Sequence, residues 1–449
     1  MAGTRGWCRG AKTGKVAGLP AAVPMPPPLR WYLVSSAFYL IPGGIQSVMF
    51  PWLVAVYLHE TPARVGFAQM AGQLPMVLLI LFGGLLGDRV DQRSLLVRLH
   101  LLMCLPPLVM AVLVGADLIV YQLLLAWAFI GGVFGSFVQP ARDALLSGVA
   151  GRDIQRVVML VTAVQFGVQI LGFALGAITD EVGPIVLMCV QAACMAVCAW
   201  TTHKLPALAP SPGPGNQAAG PGEAAATPVE PRLPVGAMVR RILADIGEGI
   251  AIAWRSPTIR PAIMLTFSIG IFFAGTYVVV LPLMVRDLYF SGARGIALAF
   301  GANMLGTVFT IFVLMWRGGI DRPGRALLLG ASVSCAILSL LHLELPEWLF
   351  YTVSFVWGMC GGISMTMSRS IVQEAAPASH RARVMSVFQL GMMGGMPIGS
   401  VVLGWCVGEY GARNAVLVPV VGMACMVVVI ALTSSLWSVR RDEPAPVGG

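Results

Sequence analysis

The chain has 449 residues, of which 57% are apolar and 11% charged. That is about half the charged share of an ordinary soluble domain, which excludes a soluble enzyme. The net charge of +9 collects on no single soluble stretch, so nucleic acid is not an expected partner; membrane lipids are.

Residues 1–29 are basic, with a Pro-rich stretch at Pro24–Pro28 and no apolar core before it. They read as a disordered cytoplasmic tail rather than a secretory leader, with Met25 as an alternative start. Twelve apolar runs come next, near 31–57, 64–86, 94–115, 118–141, 156–179, 183–203, 257–285, 294–316, 325–344, 347–371, 383–407 and 413–437. Runs of roughly 20 residues cross a bilayer core as helices. Six fall in residues 30–204 and six in 255–437. Between them, 205–236 are rich in Pro, Gly and Ala and predict a disordered linker. Residues 237–254 place Val239, Ile242, Ile246, Ile250 and Ile252 on a helical period opposite Arg240 and Arg241, which predicts an amphipathic helix lying on the membrane surface. Residues 438–449 form a second tail.

Basic residues set the orientation. The outer loops hold only Arg64, Arg286, Arg294 and Arg413 of the 29 lysines and arginines. Both termini are therefore expected in the cytoplasm, in the inner (plasma) membrane of the cell. Eight cysteines lie in apolar spans, and none makes a metal-ligand spacing. No metal, cofactor or catalytic residue is expected.

The two halves repeat each other. Gly84-Leu85-Leu86-Gly87-Asp88-Arg89, with Arg93, follows span two. Gly318-Gly319-Ile320-Asp321-Arg322, with Arg325, follows span eight. Arg142 matches Arg369, Arg156 matches Arg383 and Gly172 matches Gly399 at one constant offset. A duplicated membrane unit suits a solute carrier that rocks one half against the other.

The turn after span two fits Gly-x-Leu-x-Asp-Arg-x-x-x-Arg through Gly84, Leu86, Asp88, Arg89 and Arg93. With twelve spans, a six-plus-six repeat and a central linker, the chain resembles the major facilitator superfamily over about 30–437. Asp91 and Gln92 depart from the usual signature. A narrower resemblance, to the macrolide-efflux and enterobactin (siderophore) exporter branch, rests on four pieces. They are Phe137-x-x-Pro140-Ala141-Arg142, Asp245-Ile246-Gly247-Glu248-Gly249, Leu281-Pro282-Leu283-Met284-Val285-Arg286-Asp287, and Gln373-Glu374-x-x-Pro377 with Arg381-x-Arg383. The resemblance implies an all-α membrane protein of twelve helices in two pseudo-symmetric six-helix bundles. It implies export of small amphipathic molecules of drug, macrolide or siderophore type by alternating access, with protons as coupling partner. A lipid or lysolipid facilitator, an importer, and a non-transporting receptor or scaffold are the alternatives on the same fold. No Gly-x4-Gly-Lys-Ser/Thr loop marks an ATP-driven pump.

The family also implies roles. Gly84, Asp88, Arg89 and Arg93, with Asp321, Arg322 and Arg325, would form a latch that ties the halves together on the cytoplasmic side when the carrier faces out. Topology alone would explain the arginines but not an aspartate set among glycines. Span five has Gly172-Phe173-Ala174-Leu175-Gly176-Ala177 where exporters often show a Gly-Pro motif. No span centre carries a carboxylate, so coupling falls to Asp143, Arg142, Glu374, Arg369 and His100 near the inner face. In the family, spans one, four, seven and ten line the cavity. The substrate candidates are Gln46, Phe50, Phe134, Phe137, Phe273, Tyr277, Trp357 and Met365, with Gln165 and Gln169 nearby; plain helix packing explains any one of them as well.

Overall fold

The structure is a computed structural model; it describes residues 27–87, 91–149, 154–206, 235–317, 320–377 and 380–438. All regular structure among these residues is helical. The N-terminal bundle comprises α1 (Pro27–Tyr57), α2 (Pro62–Gly87), α3 (Gln92–Gly115), α4 (Tyr121–Val149), α5 (Ile154–Ala177) and α6 (Pro184–His203). A surface helix α7 (Val235–Arg255) precedes the second bundle. That bundle comprises α8 (Ile259–Leu288), α9 (Ala293–Trp316), α10 (Pro323–His342), α11 (Glu347–Ala375), α12 (Arg381–Ala415) and α13 (Leu417–Thr433). Ten of the helices are long and apolar enough to cross a membrane; α13 is shorter and apolar, and α2 spans 26 residues. These twelve helices are consistent with the twelve spans expected.

Sequence punctuation shapes several helices. Pro106 and Pro107 cannot donate into the preceding turn, and α3 accordingly breaks at Met103–Cys104. Gly411 carries φ 79°, a conformation costly for residues with a Cβ, and ends the straight part of α12. In α8, Gly270–Ala274 and Thr276–Val280 are wide π turns, and α1 ends in another at Leu53–Tyr57.

The duplication is visible in the packing. In the first bundle a Cβ on Gly172 of α5 would stand 2.7 Å from the Gly44 Cα of α1. In the second, a Cβ on Gly275 of α8 would stand 2.8 Å from the Gly399 carbonyl carbon of α12. Gly132 of α4 meets the Gly72 carbonyl of α2, and Gly358 of α11 meets the Asn303 carbonyl of α9. Small residues allow backbones this close without a hydrophobic drive between helices. Each crossing recurs between the repeat-equivalent helices.

The bundles join along α2 against α12 and α5 against α9. One buried cluster runs through both bundles, while Leu29, Tyr32, Leu96, Val138, Leu145 and Val161 form a separate cluster near the end where the chain enters. We call that end the terminal end and the opposite one, with loops 58–61 and 289–292, the far end.

The surface helix runs two residues further at its start and one at its end than expected, and of the apolar stripe Ile252 packs against the core. Gly249 and Ala253 are buried, Gly249 against the Arg383 carbonyl of α12, while Ile250 is exposed. Glu248 holds it in place through Arg383 (2.7 Å) and His380 (3.0 Å).

Candidate functional site: a neutral central cavity sealed at one end

A cavity of about 650 Å³ lies at mid-height. The first bundle supplies most of its wall, through α1, α2, α3, α4, α5 and α6; Tyr277 and Val278 of α8 and Phe300 of α9 close it from the second. Of the sequence candidates, Gln46, Phe50, Phe134, Gln169 and Tyr277 line it. Phe137, Gln165, Phe273, Trp357 and Met365 do not. Phe273 is buried edge-on against Trp357 (centroids 6.1 Å apart), and Met365 is exposed.

Sequence reasoning passed over Gln69, Gln73, Gln191, Trp127 and Phe300, all in the wall. Gln69 and Gln73 stand one turn apart on an otherwise apolar helix, a signal of the same kind as Gln165 and Gln169. Five glutamines thus face the cavity, and among the described residues no charged side chain is in its wall. Gln191 donates to Gln46 (3.3 Å), Gln69 donates to the Val278 carbonyl (3.2 Å), and Gln73 accepts from Ser400 (3.3 Å). Two aromatic pairs flank these amides. Phe50 meets Trp127 edge-on, and Tyr277 stacks on Phe300 at 4.3 Å.

The far end is sealed. A Cβ on Gly404 of α12 would lie 2.9 Å from the Gly66 Cα of α2. Asp180, just past α5, accepts from Trp52 Nε1 (2.7 Å) and from the Ala293 backbone N–H (2.6 Å) at the start of α9. A carboxylate suits that helix start because its first N–H groups lack intrahelical partners. Arg286 at the end of α8 donates to the carbonyls of Ala55 (3.3 Å) and Glu60 (3.1 Å) in the first bundle. It also pairs with Asp287 beside it. Orphan carbonyls at a helix end favour a cation in the same way.

Among the described residues, the terminal end lacks such a seal. Gly84 lies in the last turn of α2, and Asp88 and Arg89 lie outside the described residues. Arg93 contacts His203 Nδ1 (3.3 Å) in its own bundle. Asp321 is exposed, Arg322 caps α10, and Arg325 donates to the Trp437 carbonyl (3.2 Å), again within one bundle. The hydrogen bonds of Arg93 and Arg325 thus stay within their own halves. Asp143 accepts from Gln139 (3.2 Å) and Glu374 from Ser370 (2.8 Å). Arg369 lies close enough to Asp143 to act on it electrostatically, without an ion pair.

One coupling candidate sits deeper than expected. The sequence places Arg142 at the inner face, near the headgroups. It is instead buried, because α4 runs on to Val149 and α1 supplies partners. Its guanidinium donates to the Ser36 hydroxyl (2.6 Å) and lies 4.5 Å from the Tyr39 ring centroid and 5.7 Å from that of Tyr32, an arrangement that compensates a buried cation. His100 is fully buried, with Cys198 Sγ 3.5 Å from Nδ1 and the Tyr39 ring beside it.

A sealed far end, an opposite end with no such seal among the described residues, two related bundles and a cavity between them describe a carrier. The sequence model of the Major Facilitator Superfamily matches residues 32–377 and 280–448. The chain belongs to the major facilitator superfamily. Its members are transporters, and this one is a multi-pass membrane protein. Among solved structures it is similar to the nucleoside transporter NupG, at 13% identity and a TM-score of 0.65 over 91% of this chain and 99% of that one. It is equally similar to a D-xylose-proton symporter, at 12% identity and a TM-score of 0.65 over 92% and 97%. These likenesses establish the fold. No curated protein sequence matches.

Proposed function

We propose that this chain exports small amphipathic compounds across the inner membrane by alternating access, in exchange for protons. The observation that carries the reading is the cavity at mid-height, sealed towards the far end by Asp180, Arg286 and the Gly66–Gly404 crossing. The basic-residue bias puts the terminal end in the cytoplasm. The site is then presented to the cytoplasm, the side from which an exporter loads. In the opposite state the far end parts. The turn carrying Gly84, Asp88, Arg89 and Arg93, with Asp321, Arg322 and Arg325, then closes the cytoplasmic side. For coupling we assign Asp143, Glu374 and His100, with Arg142 and Arg369 as their cationic neighbours.

Proton-linked uptake is the second reading. It is favoured by the likeness to a D-xylose-proton symporter, since direction is not written in the fold. Purified full-length protein in inside-out vesicles, offered a panel of amphipathic compounds, separates the two. Accumulation driven by an acidic lumen is expected for proton-antiport export. Loss from preloaded vesicles under the same gradient overturns export in favour of uptake. Transport indifferent to the gradient overturns proton coupling.

A further inference from the structure

We infer that the substrate is an uncharged aromatic compound rich in hydrogen-bond donors and acceptors. This rests on the carrier reading above and adds its chemical class. Gln169 has no hydrogen-bond partner among the described residues, and one end of each amide of Gln46, Gln69, Gln73 and Gln191 is unengaged by them. Each glutamine amide offers two donor hydrogens and two acceptor lone pairs, so the wall can meet a hydroxyl, amide or heterocycle whichever way its dipoles point. These amide ends open onto the cavity, where water can meet them; a ligand that displaces that water leaves them unpaired unless its own groups complete them, so such ligands are selected over purely apolar ones.

Charge is selected against. Among the described residues, no carboxylate in the wall balances a cation, and no arginine or lysine in it balances an anion. Arg142, a buried cation of the same bundle, lies against Tyr39 and is engaged by Ser36. A formally charged substrate would surrender its hydration to a low-dielectric space with only amide dipoles in return. Aromatic faces supply the remaining surface. The Phe50–Trp127 and Tyr277–Phe300 pairs come from different bundles, so a flat ring held by both touches both halves, as a carried substrate must.

Two matched probe sets test this on the detergent-purified full chain, by calorimetric titration at pH 6, where an α-amine of ordinary pKa, about 8, is almost wholly cationic. The first is Nα-acetyl-tryptophanamide (neutral), tryptophanamide (cation) and Nα-acetyl-tryptophan (anion). The second is uridine and its 5′-monophosphate. Binding is expected for a neutral member, with its charged counterparts at least about tenfold weaker. Gln169→Leu and, independently, Gln46→Leu should each weaken the neutral probe several-fold. Gln169→Glu should admit tryptophanamide. Equal or tighter binding of a charged member overturns the inference, as does absence of binding by both neutral ones. Counterflow of a bound probe in vesicles is a separate readout. Its failure with binding intact would overturn the carrier reading and leave the chemical class standing.

Discussion

Replacing Asp180 with Ala should open the far end. The Asp180 carboxylate crosses from one bundle to the other through the Ala293 N–H at 2.6 Å, while its bond to Trp52 stays within its own bundle and only aims it. A hydrogen bond to a charged group contributes about 1.5–3 kcal/mol when shielded. Asp180 is exposed, so about 1 kcal/mol is the appropriate share. Its position at a helix start adds about 0.5 kcal/mol. The sum, about 1.5 kcal/mol, shifts the balance between closed and open far ends roughly tenfold. Asp180→Asn keeps an acceptor oxygen and should give about half that free-energy change. Spin labels at Leu118 and Leu343, exposed far-end positions in opposite bundles, report the separation by pulsed electron resonance in a cysteine-depleted background. A longer-distance population should grow with Ala and less with Asn. An unchanged distribution in the Ala variant, at normal abundance, would refute the assignment of Asp180 as a clasp.

Arg286→Ala removes two carbonyl contacts to the first bundle and should lengthen the same spin-label distance; a shortened or unchanged distance would count against its role. Gly399→Val places a side chain against the Ile271 carbonyl, whereas Gly408 on the same helix has nothing within 4 Å. The former should lose about 1–3 kcal/mol of stability and lower the melting temperature in detergent, while Gly408→Ala should leave it level or slightly raised. Asp91 caps α3, accepting from the Ser94 backbone N–H (3.1 Å) and hydroxyl (2.6 Å). Burial pushes its carboxyl up, but these hydrogen bonds outweigh that and hold it below the ordinary value. A lowered folded pKa contributes stability above the unfolded value, near pH 4, that is lost as pH falls through the folded one. The Asp91→Ala deficit, about 1 kcal/mol, should therefore be full at neutral pH and shrink below about pH 4; a deficit that grows on acidification would contradict this.

The fold was legible because its determinants are local. Apolar runs, basic turns and recurring small residues all lie in short stretches, and the membrane allows few architectures to satisfy them. The site was half legible. Gln46, Phe50, Phe134, Gln169 and Tyr277 could be placed at cavity height by counting along a helix. Facing is harder to read. Phe273 lies within the first of two π turns in α8, where the helix departs from a 3.6-residue wheel, and it packs against Trp357 instead of lining the cavity. Arg142 eludes the sequence for a different reason. Its partners Ser36, Tyr32 and Tyr39 come from α1, more than a hundred residues earlier, and no local pattern announces them. The clasps at Asp180 and Arg286 were equally silent, since each is an ordinary loop charge until the opposite bundle supplies a helix end.

The repeat also explains why the cavity is lopsided. Gly44 and Gly275, which make equivalent crossings, stand 231 residues apart. At the same spacing Gln46 corresponds to Tyr277 and Gln69 to Phe300, and all four line the cavity. Both copies therefore still present the same positions to the substrate space, held there by the same glycine contacts. The chemistry on those positions has diverged: amides in the first copy, aromatic rings in the second. The crossings keep a glycine on at least one helix in both halves, even where Gly72 is answered by Asn303, whereas cavity positions are free to specialise. A substrate that meets amides and the Phe50–Trp127 pair on one half and the Tyr277–Phe300 pair on the other has different contacts to lose on each half as the bundles rock. Differential affinity of that kind is what lets a bound molecule bias one facing state over the other.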